Sequence, residues 1–280
     1  MSKVRGIKRA GSEVLTSYGS AIRKLAGNWP TVLWLLFLFG GWLGTLALFV
    51  TTREATIGQV ILGLVVSPLL AVGLFFLLQA IGLSATRVGV GVGYKWKRAL
   101  PEAGKIALVT LPLVGGAVGM VLAIEWLGEW ALERATVSEG PLRRWVLGGW
   151  DWSQTFLLFF FFPLWSLHWW LAVVRRGVAG SVLVLGRVLL EAFAPGSIVI
   201  YLLTTGVFGG AAWWLLFARP EMADPWWELA LFGGRVTAAL LVIFLGWLLL
   251  LAVMGEWTAS RELSSLDREA DLARSRSGWN

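Results

Sequence analysis

The sequence has no cysteine and a single histidine, His168, among its 280 residues. Without cysteine the chain cannot form a disulfide, a thiolate nucleophile or a Cys-ligated metal site. One histidine also excludes a haem or chlorophyll held between two histidines of the same chain. We therefore expect no metal and no cofactor. For His168 the preferred interpretation is a packing residue near the cytoplasmic end of the fourth apolar run, and pigment or metal ligation is the alternative.

Charged residues are also scarce, at 15% of the chain against 57% hydrophobic residues. A soluble domain of this size is not so apolar, because its surface must face water. No carboxylate lies inside an apolar run, which argues against a proton- or sodium-coupled transporter. The chain also lacks the H-E-x-x-H, G-x-S-x-G and Walker patterns, so we expect no catalytic residues and no enzymatic activity.

The apolar residues are grouped into six runs, each close to the roughly 20 residues that a bilayer requires. We place the spans at residues 31–50, 57–81, 106–124, 153–174, 198–218 and 229–254. The sequence thus predicts an all-α integral membrane protein with six transmembrane helices. Residues 1–29 would be an amphipathic elbow, residues 30–257 the membrane domain and residues 258–280 a charged tail.

The positive charges are distributed unequally between the two sides of these spans. The N-terminal segment, the second and fourth loops and the tail hold 18 of the 24 Lys and Arg residues. The opposite loops hold five: Arg53, Arg134, Arg143, Arg144 and Arg219. The positive-inside rule then places both termini in the cytoplasm, and we expect the plasma membrane of a bacterium. Topology and anionic lipid explain the net charge of +7, so we expect lipids and not nucleic acid as partners.

Glycine pairs four residues apart occur at a similar depth in the first, third and fifth spans. The pairs are Gly40 and Gly44, Gly115 and Gly119, and Gly206 and Gly210. Small residues at this spacing allow two helix backbones to approach closely in a membrane. We therefore predict helix packing at these six glycines and three pseudo-repeated hairpins with the odd spans central. The alternative is that so many pairs arise because glycine is common in the chain.

A short elbow helix is expected before each hairpin. In the first, Val14, Tyr18, Ile22 and Leu25 share one helical face while Arg23 and Lys24 point away, and Ser12 is a candidate cap. The sequence Asn28-Trp29-Pro30 then turns the chain into the bilayer. The second elbow, residues 94–105, must kink or end at Pro101. The third, residues 178–194, carries Arg187 and Glu191 four apart and ends at Pro195-Gly196.

Tryptophans are concentrated at the ends of the spans opposite to the predicted cytoplasmic side. The members are Trp126, Trp130, Trp145, Trp150, Trp152, Trp213, Trp214, Trp226 and Trp227. The preferred interpretation is an aromatic belt at the membrane surface. The alternative is a surface for a partner protein, since tryptophan is favoured at interface anchors.

Arg235 is the most notable ionisable residue, because it lies inside or near the outer end of the last span, where a charge is costly. Glu228 precedes it by seven residues on roughly the same face. We prefer a structural role for Arg235, with its charge reaching the headgroups or an ion pair. The functional alternative is contact with a lipid phosphate or an anionic substrate.

The plan of an elbow helix before each hairpin, carried by residues 12–39, 94–119 and 178–210, resembles a group of bacterial six-span membrane families. One is the membrane domain attached to some glycerophosphodiester phosphodiesterases. The resemblance implies a membrane domain without an active site of its own. Three two-span repeats are also found in mitochondrial carriers, but the P-x-[DE]-x-x-[KR] signature of that family is absent.

These observations favour a non-enzymatic accessory, assembly or scaffold subunit that packs against another integral membrane protein or a second copy of itself. The alternative is a passive or lipid-handling transporter in which Arg235 contacts an anionic group. An enzyme acting on lipids ranks last, because the sequence offers no acid/base pair.

Overall fold

The computed structural model describes residues 2–52, 56–87, 96–134, 149, 152–218 and 225–277. This part of the chain is helical apart from a few turn and cap residues, and it contains no strand. The helices are α1 Ser2–Gly27, α2 Trp29–Thr51, α3 Ile57–Ile61, α4 Ser67–Arg87, α5 Trp96–Arg134, α6 Phe162–Leu183, α7 Leu185–Ala192, α8 Pro195–Phe217 and α9 Pro225–Ser277. Two π-helical turns occupy Leu62–Val66 and Leu157–Phe161.

Six helical segments of the described chain are long and apolar enough to cross a bilayer. They are Trp29–Thr51, Ile57–Ser84, Ala99–Trp130, Trp152–Leu183, Pro195–Phe217 and Trp226–Glu262. The prediction of an all-α membrane protein with six spans is therefore confirmed. Several segments are longer than predicted, because charged helix-forming residues extend them beyond the apolar run.

The first elbow has the predicted turn but a longer helix. Helix α1 ends at Gly27, Asn28 is non-helical, and α2 begins at Trp29 with Pro30 in its first turn. The Thr31 hydroxyl donates to Asn28 Oδ1 at 2.8 Å, which fixes this corner. The prediction that Ser12 caps the elbow is wrong, because α1 begins at Ser2 and Ser12 lies inside it.

The second and third elbows differ from each other. The predicted break at Pro101 is absent: α5 runs for 39 residues from Trp96 to Arg134. Pro101 is the sixth residue of α5, so its missing N–H removes one bond, to the carbonyl of Lys97, and the helix continues past it. The third elbow is confirmed, because α6 is interrupted at Gly177, whose φ of 74° and ψ of 175° suit only glycine. The short helix α7 follows, and α8 begins at Pro195.

Both π-helical turns directly precede an X-Pro pair. The N–H of Ser67 bonds the carbonyl of Leu62, and the N–H of Phe162 bonds that of Leu157, each five residues back. A proline ring collides with the carbonyl four residues before it in an α-helix. The wider turns move the carbonyls four residues before Pro68 and Pro163 away from the proline rings. The second and fourth spans therefore continue through their prolines.

The chain forms two compact units. Unit 1 comprises Met1–Ala103 and Ala194–Asn280, and unit 2 comprises Gly104–Phe193. In unit 1, α8 packs along α9, α2 packs along α4, and α1 contacts α9. The core cluster of unit 1 joins four helices through buried residues, which are Leu35, Leu78, Ile81, Ala99, Phe244 and Leu248.

Candidate functional site

Helix α1 is attached to the rest of unit 1 by one regular face. Val14, Ser17 and Ala21 are buried, and Lys24 and Asn28 continue the same face at alternating spacings of three and four residues. We call these five residues the α1 seam. Its small members let α1 lie close to α9.

The prediction that Lys24 points away from the face of Val14 is wrong, because both residues lie in the seam. The reason is that the contact partner of α1 is a helix carrying an acid, which attracts the lysine. Ile22, predicted on an apolar face directed at the headgroup region, is 53% exposed. The face with Leu15, 73% exposed, and Ile22 is the one left uncovered within the described chain.

The seam contains an ion pair between the two ends of the membrane domain. Lys24 Nζ pairs with Glu256 Oε1, and the Ser20 hydroxyl donates to Glu256 Oε2 at 2.9 Å. Beside this pair lies a cavity of about 10 Å³, enough for about one water molecule. Asn28, Thr31 and the apolar residues of α2 and α9 line it.

Tyr18 makes a second polar contact of α1, with α8. Its hydroxyl donates to the carbonyl of Ile200 at 3.2 Å and lies 2.6 Å from the Thr204 hydroxyl. Burial raises the pKa of the Tyr18 hydroxyl above its ordinary value of 10, and the hydrogen bond with Thr204 opposes this shift. Tyr18 therefore stays neutral and acts as a hydrogen-bonding anchor.

The six glycines of the predicted packing pairs have open space beside them. A Cβ added at Gly40, Gly44, Gly115, Gly119, Gly206 or Gly210 would meet no heavy atom within 4 Å. Within unit 1, Gly40, Gly44, Gly206 and Gly210 therefore make no close contact with another helix, and the packing of the three odd spans against one another stays a prediction. The pattern marks a face on each helix but carries no information about what covers it.

Three other glycines form the close helix contacts of unit 1. A Cβ at Gly246 would lie 2.6 Å from Phe208 Cβ, and one at Gly196 would lie 2.9 Å from Trp257. A Cβ at Gly82 would lie 2.7 Å from Leu251 Cδ1. The sequence does not reveal these positions, because each is a single glycine facing a large side chain on a distant helix, and no local pattern marks such a pair.

Arg235 and Glu228 are not brought together. Glu228 is exposed at the start of α9, and no ion pair joins it to Arg235. The Nη2 atom of Arg235 is buried and has no hydrogen-bond partner among the described residues. Arg235 therefore presents a charged donor that this part of the chain leaves unsatisfied.

The described tryptophans of the predicted belt are exposed. Trp126 and Trp130 on α5 are 64% and 43% exposed, and Trp226 and Trp227 on α9 are 79% and 69% exposed. Trp152, Trp213 and Trp214 are also exposed. Trp145 and Trp150 lie outside the described residues. Both the aromatic-belt and the partner-surface interpretations are compatible with this exposure.

His168 lies in the buried part of unit 2, with only 3% of its surface exposed. Its neighbours in sequence, Trp169 and Trp170, are buried too and donate to Ser181 Oγ at 3.2 Å and to Thr110 Oγ1 at 2.8 Å. The flanking aromatic residues, expected at a membrane interface, therefore form core contacts between α5, α6 and the elbow.

Unit 2 also contains a chain of contacting rings that the sequence does not predict. The members are Phe193, Phe161, Phe162, Trp165 and Trp169, with centroid separations of 4.9 to 6.2 Å. The indole N–H of Trp165 is buried without a partner among the described residues. Within the run Phe159–Phe162, Phe159 is 72% exposed and Phe162 only 8%.

No group of three or more His, Asp or Glu residues within the described ranges is arranged to hold a metal ion. No protein-family model, curated protein or solved structure matches this chain. The resemblance to the elbow-helix families therefore stays a prediction.

Proposed function

We propose that this chain is a non-enzymatic membrane subunit that assembles with another integral membrane protein through glycine faces. The observation that carries the proposal is the open face of α8 at Gly206 and Gly210, where a Cβ would meet no described atom within 4 Å. Glycine lowers helix stability by about 1 kcal/mol relative to alanine. No contact within the described chain offsets this cost at either position.

The face of α8 that carries Gly206 and Gly210 has a surface shape into which a partner helix can pack. Leu203 and Trp213 are exposed on either side of the glycine pair, so the surface is a shallow groove between bulky residues. A second helix in this groove gains close van der Waals contact, which is a main source of association energy between helices in lipid. The pairs on α2 and α5 are open in the same way.

Native mass spectrometry of the protein, extracted gently from its own membrane, tests the proposal. We expect a partner chain at fixed stoichiometry with the wild type. Replacing both Gly206 and Gly210 by leucine should release the partner while leaving the monomer folded, because each position is open. Gly73→Leu on α4 is the matched control, since Gly73 is equally open but lies in an even span. A wild type that is always a bare monomer would refute the proposal.

A second candidate function is passive or lipid-handling transport, favoured by the unsatisfied Nη2 of Arg235. In this case Arg235→Ala should abolish flux of an anionic lipid between the leaflets of reconstituted vesicles. Undiminished flux would remove Arg235 from any transport role.

We also propose the plasma membrane of a bacterium as the location, with both termini in the cytoplasm. The Lys and Arg distribution supports this orientation. The Lys24–Glu256 ion pair supports placing both termini on the same side of the membrane, because it joins α1 to the end of the last span. The test fuses a reporter that is active only in the cytoplasm to residue 2 or to residue 280. Both fusions should be active, and activity at one end alone would contradict the orientation.

A further inference from the structure

We infer that Arg235 binds the phosphate group of an anionic lipid at the end of the α8–α9 pair remote from the chain termini. The first step is its depth. Arg235 and Glu256 are 21 residues apart in the continuous helix α9, which corresponds to about 31 Å along the axis. The hydrocarbon core of a bilayer is about 30 Å thick. With the Lys24–Glu256 ion pair at one boundary of the core, Arg235 lies at the other.

The second step is the direction of the side chain. Side chains of an α-helix tilt toward its N-terminus, so the guanidinium of Arg235 extends from its Cα toward Pro225 and the headgroup layer. Arg235 shares a face of α9 with Ala239, four residues later, which is only 1% exposed. Because Nη2 is buried, the side chain lies against the packed side of α9 on its way to the membrane surface.

The third step is the missing acceptor. Nη2 of Arg235 is buried and finds no acceptor in the described chain, although a buried charged donor is strongly destabilising when it is unpaired. Glu228, the nearest acid before it on α9, is exposed and not paired with it. An acceptor from outside the described chain satisfies this donor.

The chemistry of the group selects the ligand. A guanidinium offers several N–H donors in a planar fork that matches two oxygens of a phosphate. Phosphates are abundant at the depth deduced for Arg235, and the exposed Trp226 and Trp227 beyond it are typical of the headgroup layer. A free phosphate ion would offer the same oxygens, so the experiment must separate these two sources. The inference shares Arg235 with the transport candidate but requires no movement of lipid, and it does not depend on the glycine faces.

The test compares lipid retention by purified protein in native mass spectrometry after reconstitution with equal amounts of phosphatidylglycerol and phosphatidylcholine. Parallel samples in detergent receive inorganic phosphate or chloride, and thermal unfolding is recorded. The variants are Arg235→Gln, which removes the charge, and Arg235→Lys, which keeps the charge but loses the fork. Arg23→Gln removes an exposed cation of α1 and is the charge-matched control.

We expect the wild type and Arg23→Gln to retain phosphatidylglycerol preferentially. Arg235→Gln should weaken this retention by about 10- to 100-fold, and Arg235→Lys by a smaller factor.

Equal retention by Arg235→Gln and the wild type would overturn the inference. Stabilisation by inorganic phosphate without a preference for the anionic lipid would assign the site to a soluble anion and overturn the lipid identity. If Arg235→Gln does not fold, the lipid preference of the wild type and the Arg235→Lys result decide the question. Loss of lipid with an intact partner complex separates this inference from the assembly proposal.

Discussion

The two faces of α8 show how differently one membrane helix is covered. Its inner face is closed by the rest of unit 1 through residues that are buried or in close contact, which are Ser197, Ile200, Tyr201, Thr204, Phe208 and Ala212. Its outer face is open and carries Val199, Leu203, Gly206, Gly210, Trp213 and Phe217. Hydroxyl groups and the ring of Phe208 make the contacts of the inner face. The recognisable glycine motif, Gly206 and Gly210, lies on the outer face, where a new Cβ would meet no described atom within 4 Å.

This difference teaches that a small-residue motif and a close helix contact are separate features. On the inner face, Phe208 lies against Gly246, so the small residue is on the partner helix. On the outer face the small residues are on α8 itself, and a new Cβ there meets no described atom within 4 Å; in the proposed assembly the complementary large residues would belong to a partner. The following predictions test this contrast, from the largest expected effect to the smallest.

The most direct test replaces one glycine by alanine at the inner face of α8 and one at its outer face, which adds one methyl group in each case. In Gly246→Ala the new Cβ would lie 2.6 Å from Phe208 Cβ and 2.7 Å from its Cγ, so α8 and α9 must separate. We expect a loss of about 3 kcal/mol in the free energy of unfolding. Gly206→Ala meets nothing within 4 Å and should be neutral or stabilising by up to about 1 kcal/mol. Denaturant unfolding in mixed micelles measures both, and equal losses would contradict the contrast between the faces.

The ion pair of the α1 seam should contribute less than the helix contact. Glu256→Gln removes the charge that pairs with Lys24 but keeps an acceptor for Ser20, and we expect a loss of about 1 to 2 kcal/mol. Limited proteolysis within α1 should also become faster. Arg187→Gln breaks the exposed pair with Glu191 and serves as control, with at most about 0.5 kcal/mol. Similar losses in the two variants would show that α1 is not held by its seam.

Tyr18 tests the hydroxyl contacts of the inner face. Tyr18→Phe removes its bonds with Ile200 and Thr204 and should cost about 1 kcal/mol. The raised pKa of Tyr18 adds a pH dependence. Its contribution is fully present below pH 10 and falls as the pH rises above 10, because the unfolded tyrosine ionises first. The stability difference between wild type and variant should therefore shrink above this pH, and a constant difference would argue against a buried hydroxyl.

Gly82 should be the most tolerant of the closed glycines. In Gly82→Ala the new Cβ would lie 2.7 Å from Leu251 Cδ1, the end of a flexible side chain, and 3.2 Å from the indole of Trp247, which needs to move by only a few tenths of an ångström. The gain in helix propensity offsets part of the strain, so we expect a net loss below about 1 kcal/mol. Thermal unfolding beside Gly246→Ala gives the comparison. A loss as large as that of Gly246→Ala would mean that the region around Leu251 is as rigid as the Phe208 contact.

Local features of the fold were predictable because their causes are local. The apolar runs define the spans, and Asn28 and Pro195 mark helix ends through their own backbone preferences. The Arg187–Glu191 pair follows from one turn of helix. The continuous α5 was not predicted, since the effect of Pro101 depends on how far it lies from the helix start.

By itself the sequence determined an all-α chain with six membrane-spanning segments, because hydrophobic length and helical hydrogen bonding act over one segment at a time. Only the tertiary structure decided which faces are closed. Tyr18 meets Thr204 across 186 residues, and Lys24 meets Glu256 across 232 residues. Such contacts depend on how helices rotate about their axes and pack, and rotation in a membrane is set by side-chain fit between helices that are equally apolar. The open glycines, the Lys24 contact in the seam and the unsatisfied Arg235 therefore emerge only when the helices are placed together.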